Sequence, residues 1–234
     1  MGNISIAIVV LAIVVYYRIS VRIYAMLQPP LEHSQAADML EQHFSEPPLQ
    51  LGLLASGNGS NFEAIAQAID EQRLNAQVVV VIYNNPDAGV AERAEKRQIP
   101  AVLLNHRNYQ RRKDLDADIV KTLKDHGASW VIMAGWMRRV TETLIQAFPG
   151  QVLNIHPSLL PSFPGIRAVE QALAAGVKIA GCTVHHVVLA VDSGPIVAQA
   201  AVPVQPDDTP ATLQQRIHHQ EHQLYPHAIL LASR

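Results

Sequence analysis

Cysteine is almost missing from this chain. Cys182 stands alone among 234 residues, so neither an internal disulfide framework nor a multi-cysteine zinc site can be built, and a reducing compartment fits. An excess of one charge is missing as well: eighteen Lys and Arg face twenty Asp and Glu, for a net charge of -2. A chain this close to neutral lacks the broad basic field that drives non-specific nucleic-acid binding, and no nucleic-acid partner is expected. Charged residues are scarce at 16% against 49% hydrophobic, which supplies a sizeable core and excludes disorder over most of the length. No internal repeat or low-complexity tract is present. What remains is a soluble globular protein, of a length that suits one ordinary domain or one domain with an appendage.

The first fifty residues differ from the rest. Asn3 to Tyr17 form an almost unbroken apolar run, followed by Arg18 and Arg22. The run is shorter than the roughly 20 residues a membrane-spanning helix needs, and too hydrophobic all round for a surface helix. A secretory signal fits poorly, because no basic residue precedes the run and no small-x-small cleavage site follows it. Ile6 breaks the myristoylation pattern. Three readings stay open for residues 1–25: a short membrane anchor, a buried helix or strand, or translated sequence upstream of a start at Met26. Membrane contact is expected only if residues 3–17 belong to the mature protein and are exposed. Pro29-Pro30 and Pro47-Pro48, with polar residues between them, give residues 26–49 a linker composition, so the folded domain is placed at 50–234.

Beyond residue 50, apolar runs alternate with helical spacing. Leu51 to Ala55, Val78 to Tyr83, Ala101 to Leu104, Trp130 to Ala134 and Val152 to Ile155 read as strands. Phe62, Ile65, Ala66 and Ile69 fall at helical spacing, and 89–97 and 115–126 read as helices. The alternation predicts an α/β fold with a doubly wound, mostly parallel sheet, which binds ligands beyond the carboxyl ends of its strands.

Three loops there carry chemistry. In Gly57-Asn58-Gly59-Ser60-Asn61, glycines let the backbone approach an anion and the first helical amides point at it. Ser60 or Asn61 could cap the helix. Phe62 stands where a dinucleotide fingerprint has its third glycine, so one phosphate group is expected rather than a pyrophosphate cofactor; a turn without a ligand is the plain alternative. In Asn154-Ile155-His156-Pro157, the spacing of two aims Asn154 and His156 to one side of an extended segment. An amide that donates to a developing oxyanion and an imidazole that handles protons suit acyl-group chemistry, although a lone buried histidine is as often structural. Asp192-Ser193-Gly194-Pro195 reads as a turn after an apolar strand at 183–189. Asp192 gains interest if it folds back on His156, since a carboxylate favours the protonated imidazole. His218-His219-Gln220-Glu221-His222 matches an H-x-x-E-H zinc-protease pattern, but no Asp, Glu or Cys follows it as a third ligand, and no metal is expected.

Taken together, SGNGSN at 56–61, AGWMR at 134–138, NIHPSLLP at 154–161, FPG at 163–165, DSGP at 192–195 and QEHQLYP at 220–226 resemble the phosphoribosylglycinamide formyltransferase family, the folate-dependent transformylases of purine biosynthesis. The resemblance runs from about Leu51 to Leu231 and implies a Rossmann-like formyltransferase fold. It implies 10-formyltetrahydrofolate as co-substrate, glycinamide ribonucleotide (GAR) as acceptor, and a cytoplasmic enzyme, with a homodimer left open. Asn154, His156 and Asp192 would be catalytic. Gly59, Ser60, Asn61 and Glu221 would hold the ribonucleotide. Folate would contact Arg112, Met137, Arg138, Arg139, Val140, Asn154, Val188, Leu189, Ala190 and Val191. Departures from the family pattern are Phe163 before Pro-Gly, Arg167, Val169 and the pair Leu189-Ala190, which bear on affinity and loop mobility. A formyltetrahydrofolate hydrolase would carry an added amino-terminal sensing domain, and methionyl-tRNA formyltransferase a carboxyl-terminal RNA-binding domain. A non-catalytic folate- or nucleotide-binding protein is the alternative outside enzymes.

Overall fold

The apolar runs become neighbouring strands of one sheet. The computed structural model describes residues 46–234, so the expectations for residues 1–25 and for the linker as far as residue 45 lie outside the described residues. The strands are β1 (Leu49–Ala55), β2 (Ala76–Tyr83), β3 (Ala101–Leu103), β4 (Trp130–Met133), β5 (Val152–His156), β6 (Ile179–His186) and β7 (Ile196–Pro203). They lie in the order β3-β2-β1-β4-β5-β6-β7. The first five are mutually parallel, and β6 and β7 run antiparallel at one edge. Helices α1 (Ser60–Asp70), α2 (Val90–Lys96), α3 (Arg112–Asp125), α4 (Glu142–Ala147), α5 (Ala168–Ala174) and α6 (Pro210–Ala232) complete the α/β fold.

Both faces of the sheet are covered, which is why its central strands read as continuous apolar runs. Leu51, Leu53 and Ala55 belong to a core with Phe62 and Ile65 of α1 and Ile217, Tyr225 and Ile229 of α6. Leu54 belongs to a second core with Leu115, Ile119 and Leu123 of α3 and with Trp136 and Leu144. The order of strands reverses between β1 and β4, and the loops that follow these two strands diverge there. That crevice is where doubly wound sheets hold ligands.

One strand differs from its sequence reading. The run expected at 183–189 is paired only as far as His186, and β6 begins earlier, at Ile179. The register with β7 shifts at Val184/His185, and His186 donates its amide to Pro195 O at 2.9 Å. Residues 188–191 therefore leave the sheet as an exposed loop despite their apolar composition. Gly194 closes this loop against the strand: a Cβ there would lie 1.8 Å from His186 O, so no larger residue fits without moving backbone.

Candidate functional site

The glycine loop follows β1 directly. Gly59 takes φ +74 and starts α1, and no side chain caps the helix. The capping expected of Ser60 or Asn61 does not occur, because Gly59 occupies the cap position and the Asn61 amide is turned elsewhere. Asn61 Nδ2 donates to Glu221 Oε2 at 2.9 Å, joining α1 to α6 inside the protein. The first amides of α1 thus lack side-chain partners, the arrangement that receives an anion. The loop is braced from behind: Val90 donates its amide to Gly57 O at 3.2 Å, and Arg93 Nε donates to Asn58 O at 2.8 Å. Glu221 is 4% exposed. Burial pushes its carboxyl above the usual range, opposed by the Asn61 hydrogen bond and by the charges of His218 and His156.

Asn154 and His156 sit at the carboxyl end of β5, one residue apart in the pleat, as the spacing requires. His156 is 5% exposed. Its Nε2 meets Phe163 O at 2.9 Å, and its Nδ1 lies 3.4 Å from Asp192 Oδ2. Both ring nitrogens therefore face oxygen atoms, Nε2 within hydrogen-bond distance and Nδ1 at ion-pair distance. The carboxylate comes from the β6–β7 loop, where Asp192 adopts φ 51 and accepts the Gly165 amide at 2.7 Å. The segment Phe163–Gly165 thus orients both His156 and Asp192 through backbone atoms. Phenylalanine in place of tyrosine at 163 leaves those contacts intact. Val169 is a buried core residue and Arg167 is exposed.

His185 completes the group and was not singled out from the sequence. It stands opposite Asn154 across the β5–β6 pair. Asn154 Nδ2 lies 3.2 Å from His185 Nε2, and His185 Nδ1 lies 2.9 Å from His186 O. A neutral ring protonated on Nδ1 satisfies both contacts: it donates to the carbonyl and accepts from the amide. Burial lowers the His185 pKa, in agreement with that neutral form. His185 Nε2 is also 3.7 Å from Asp192 Oδ1, so the carboxylate sits between two imidazoles. The signal for His185 was its alternation with Thr183 on one strand, a spacing of two that places both beside Asn154 and His156 in the antiparallel register.

The third wall is the segment after β4. Met137 is 74% exposed, Arg139 is exposed, and Arg138 and Val140 are half-buried. Ser56, the last residue before the glycine loop, accepts the Met137 amide on Oγ at 2.9 Å and donates its own amide to Gly135 O at 3.0 Å. Across the crevice, Val188, Leu189, Ala190 and Val191 are exposed, while Val187 and Val140 pack on the same core. An exposed apolar rim of this kind suits the apolar part of a ligand. Arg112 opens α3, exposed and with no side-chain partner among the described residues, whereas its neighbour Arg111 pairs with Asp114 at 2.7 Å.

The histidine run on α6 is engaged within its own helix and against α1. His218 meets Gln214 at 2.7 Å and stacks on His222 with ring centroids 6.4 Å apart, and Glu221 faces Asn61. Among the described residues no group of three His, Cys, Asp or Glu side chains is placed to hold a metal, and no helix is long and apolar enough to cross a membrane.

Comparison with known proteins returns a single picture. Residues 50–229 match the family model described as formyl transferase. The chain is 44% identical over 180 residues to the phosphoribosylglycinamide formyltransferase of Bacillus subtilis (strain 168), covering 77% of this chain and 92% of that one. It is 41% identical over 196 residues to the human trifunctional purine biosynthetic protein adenosine-3, covering 83% of this chain but 19% of that much longer protein. Among solved structures it resembles glycinamide ribonucleotide transformylase 1 from Symbiobacterium toebii, with a TM-score of 0.78 and 45% identity over 80% of this chain and 88% of that one.

Proposed function

The chain belongs to the formyl transferase family, and from that premise we infer that it is a phosphoribosylglycinamide formyltransferase. It transfers the formyl group of 10-formyltetrahydrofolate to the amine of glycinamide ribonucleotide in purine biosynthesis. The observation that carries the reading is the meeting of Asn154, His156 and Asp192 beside an anion-receiving helix start.

In this reading the ribonucleotide phosphate lies on the amides of Gly59, Ser60 and Asn61, and Glu221 faces the rest of the nucleotide. Reduced folate lies between Met137–Val140 and Val188–Val191, with Arg112 at its anionic end. The glycinamide amine attacks the formyl carbon, and the carbonyl electron pair moves onto the formyl oxygen. Asn154 can donate to that oxyanion with the N–H not held by His185, and protonated His156 stabilises the same charge. Collapse of the tetrahedral species breaks the bond to N10, which takes its proton from His156, while the attacking amine loses one to solvent or to His156 in turn. The Nε2 contact to Phe163 O fixes the ring, leaving Nδ1 beside Asp192 as the nitrogen that exchanges protons. Asp192 holds the imidazolium charge, and no covalent enzyme intermediate is required.

The test uses the full chain with glycinamide ribonucleotide and a 10-formyl folate, following the deformylated folate by absorbance. Release that depends on the ribonucleotide is expected. Release without it would replace this reading with a hydrolase, and no release in either reaction would leave a binding protein.

A further inference from the structure

Asp116 is a buried carboxylate that the catalytic group does not use. Asp116 lies on α3, four residues after Arg112 and on the same helix face, and is 2% exposed. Its Oδ2 accepts two hydrogen bonds from a single residue across the cleft wall: the Thr141 amide at 2.5 Å and Thr141 Oγ1 at 2.8 Å. Thr141 ends the segment that begins at Met137, whose amide is already held by Ser56 Oγ. The stretch Met137–Thr141 is therefore fastened at both ends by side chains from other elements, Ser56 after β1 and Asp116 on α3. Between those two points Met137 and Arg139 project outward.

We propose that Asp116 is a positioning residue for the reduced folate: it sets the height of the Met137–Val140 segment and ties that segment to the helix that presents Arg112. This rests on the reading that folate lies along Met137–Val140. Two donors converging on one oxygen define a point in space, which a single bond on an exposed loop does not. Losing them leaves a half-buried amide and hydroxyl without acceptors, so the segment must shift to find water. The ribonucleotide loop leads from β1 into α1 and is braced at Gly57 and Asn58 by Val90 and Arg93 of α2, contacts in which Asp116 takes no part. The need is for an acceptor rather than a charge. Burial already raises the Asp116 carboxyl, against the Thr141 hydrogen bonds and the nearby Arg138 charge.

The experiment compares the full-length Asp116→Ala, Asp116→Asn and Thr141→Val variants with wild type in steady-state kinetics and in hydrogen exchange of the peptide spanning 137–141. Asp116→Ala should raise KM for the folate about 10-fold, with KM for the ribonucleotide and kcat within about 2-fold. Asp116→Asn, which keeps an acceptor in place, should restore the folate KM to within about 3-fold of wild type, and Thr141→Val should fall between. Exchange should quicken in 137–141 alone. Parallel rises in both KM values, an unchanged folate KM in the alanine variant, or failure of asparagine to rescue would overturn the proposal. If asparagine and alanine variants both fail to fold, Thr141→Val carries the test, and an unchanged folate KM there counts against it. A wild type inactive in formyl transfer would sink the functional reading. The exchange result would then decide alone whether Asp116 fastens the segment.

Discussion

The carboxylates of this site serve different ends, and substitution separates them. His156 and Asp192 face each other at 3.4 Å with backbone partners holding each in place. His156→Ala and Asp192→Asn should each lower turnover about 10²- to 10⁴-fold while leaving the melting temperature within a few degrees; near-normal turnover in both would remove their assigned roles. Glu221 offers a pH test. Its folded pKa lies above the ordinary 4.5 because of burial, so below pH 4.5 it is protonated in both folded and unfolded chains and contributes nothing. As pH rises through 4.5 the unfolded chain ionises first, and wild type loses stability until the raised folded pKa is passed. Glu221→Gln keeps an acceptor for Asn61 Nδ2 without that loss. Its melting temperature should match wild type near pH 4 and exceed it above pH 4.5, the gap widening until the raised folded pKa is passed, with ribonucleotide affinity weakened. A difference that stays flat with pH would mean that burial does not disfavour the Glu221 charge.

Single elements show what a sequence can disclose and what it hides. The glycine loop was legible because its requirement is local: Gly59 needs a positive φ, and a Cβ there would lie 2.5 Å from Val90 Cγ2. Gly59→Ala should therefore cost about 1–3 kcal/mol of stability and abolish measurable ribonucleotide binding, checked by thermal melting and calorimetric titration. Binding that survives would place the phosphate elsewhere. β1, β2, β4 and β5 were legible because burial on both faces makes most of their residues apolar. α6 was not read as one helix of 23 residues, because glutamine and histidine cover its exposed face and Pro226 stands inside it. β7 is half-exposed and was not read at all. In the site, Asn154, His156 and Asp192 stood out by residue type and turn context. His185, Ser56 and Asp116 did not, because each works through a partner 25 to 81 residues away in sequence that only the folded register brings near. Tyr225 is of that kind too. Its hydroxyl lies 3.2 Å from Met133 O and 3.1 Å from Leu153 O, bridging β4 and β5 from α6 one turn beyond Glu221.

For the whole molecule, the question is how much chain the chemistry needs. Every proposed site residue, and every side chain found to brace one, falls between Ser56 and Glu221. Residues 48–234 form one compact unit with its own two-faced core. The family match spans 50–229, within that unit. Catalysis should then be indifferent to the apolar run at the front, whichever of its three readings holds. A chain starting at Met26 is expected to keep kcat and both KM values within about 2-fold of the full chain, because every described interaction of the site lies within residues 46–234. Its melting temperature should also stay within a few degrees. Fractionation of the full chain without detergent addresses the front segment separately, since recovery of all of it in the soluble fraction rules out an anchor. A tenfold loss of kcat in the shorter chain, with melting unchanged, would mean that residues 1–25 reach the crevice, and the boundary of the functional domain would have to move toward the amino terminus.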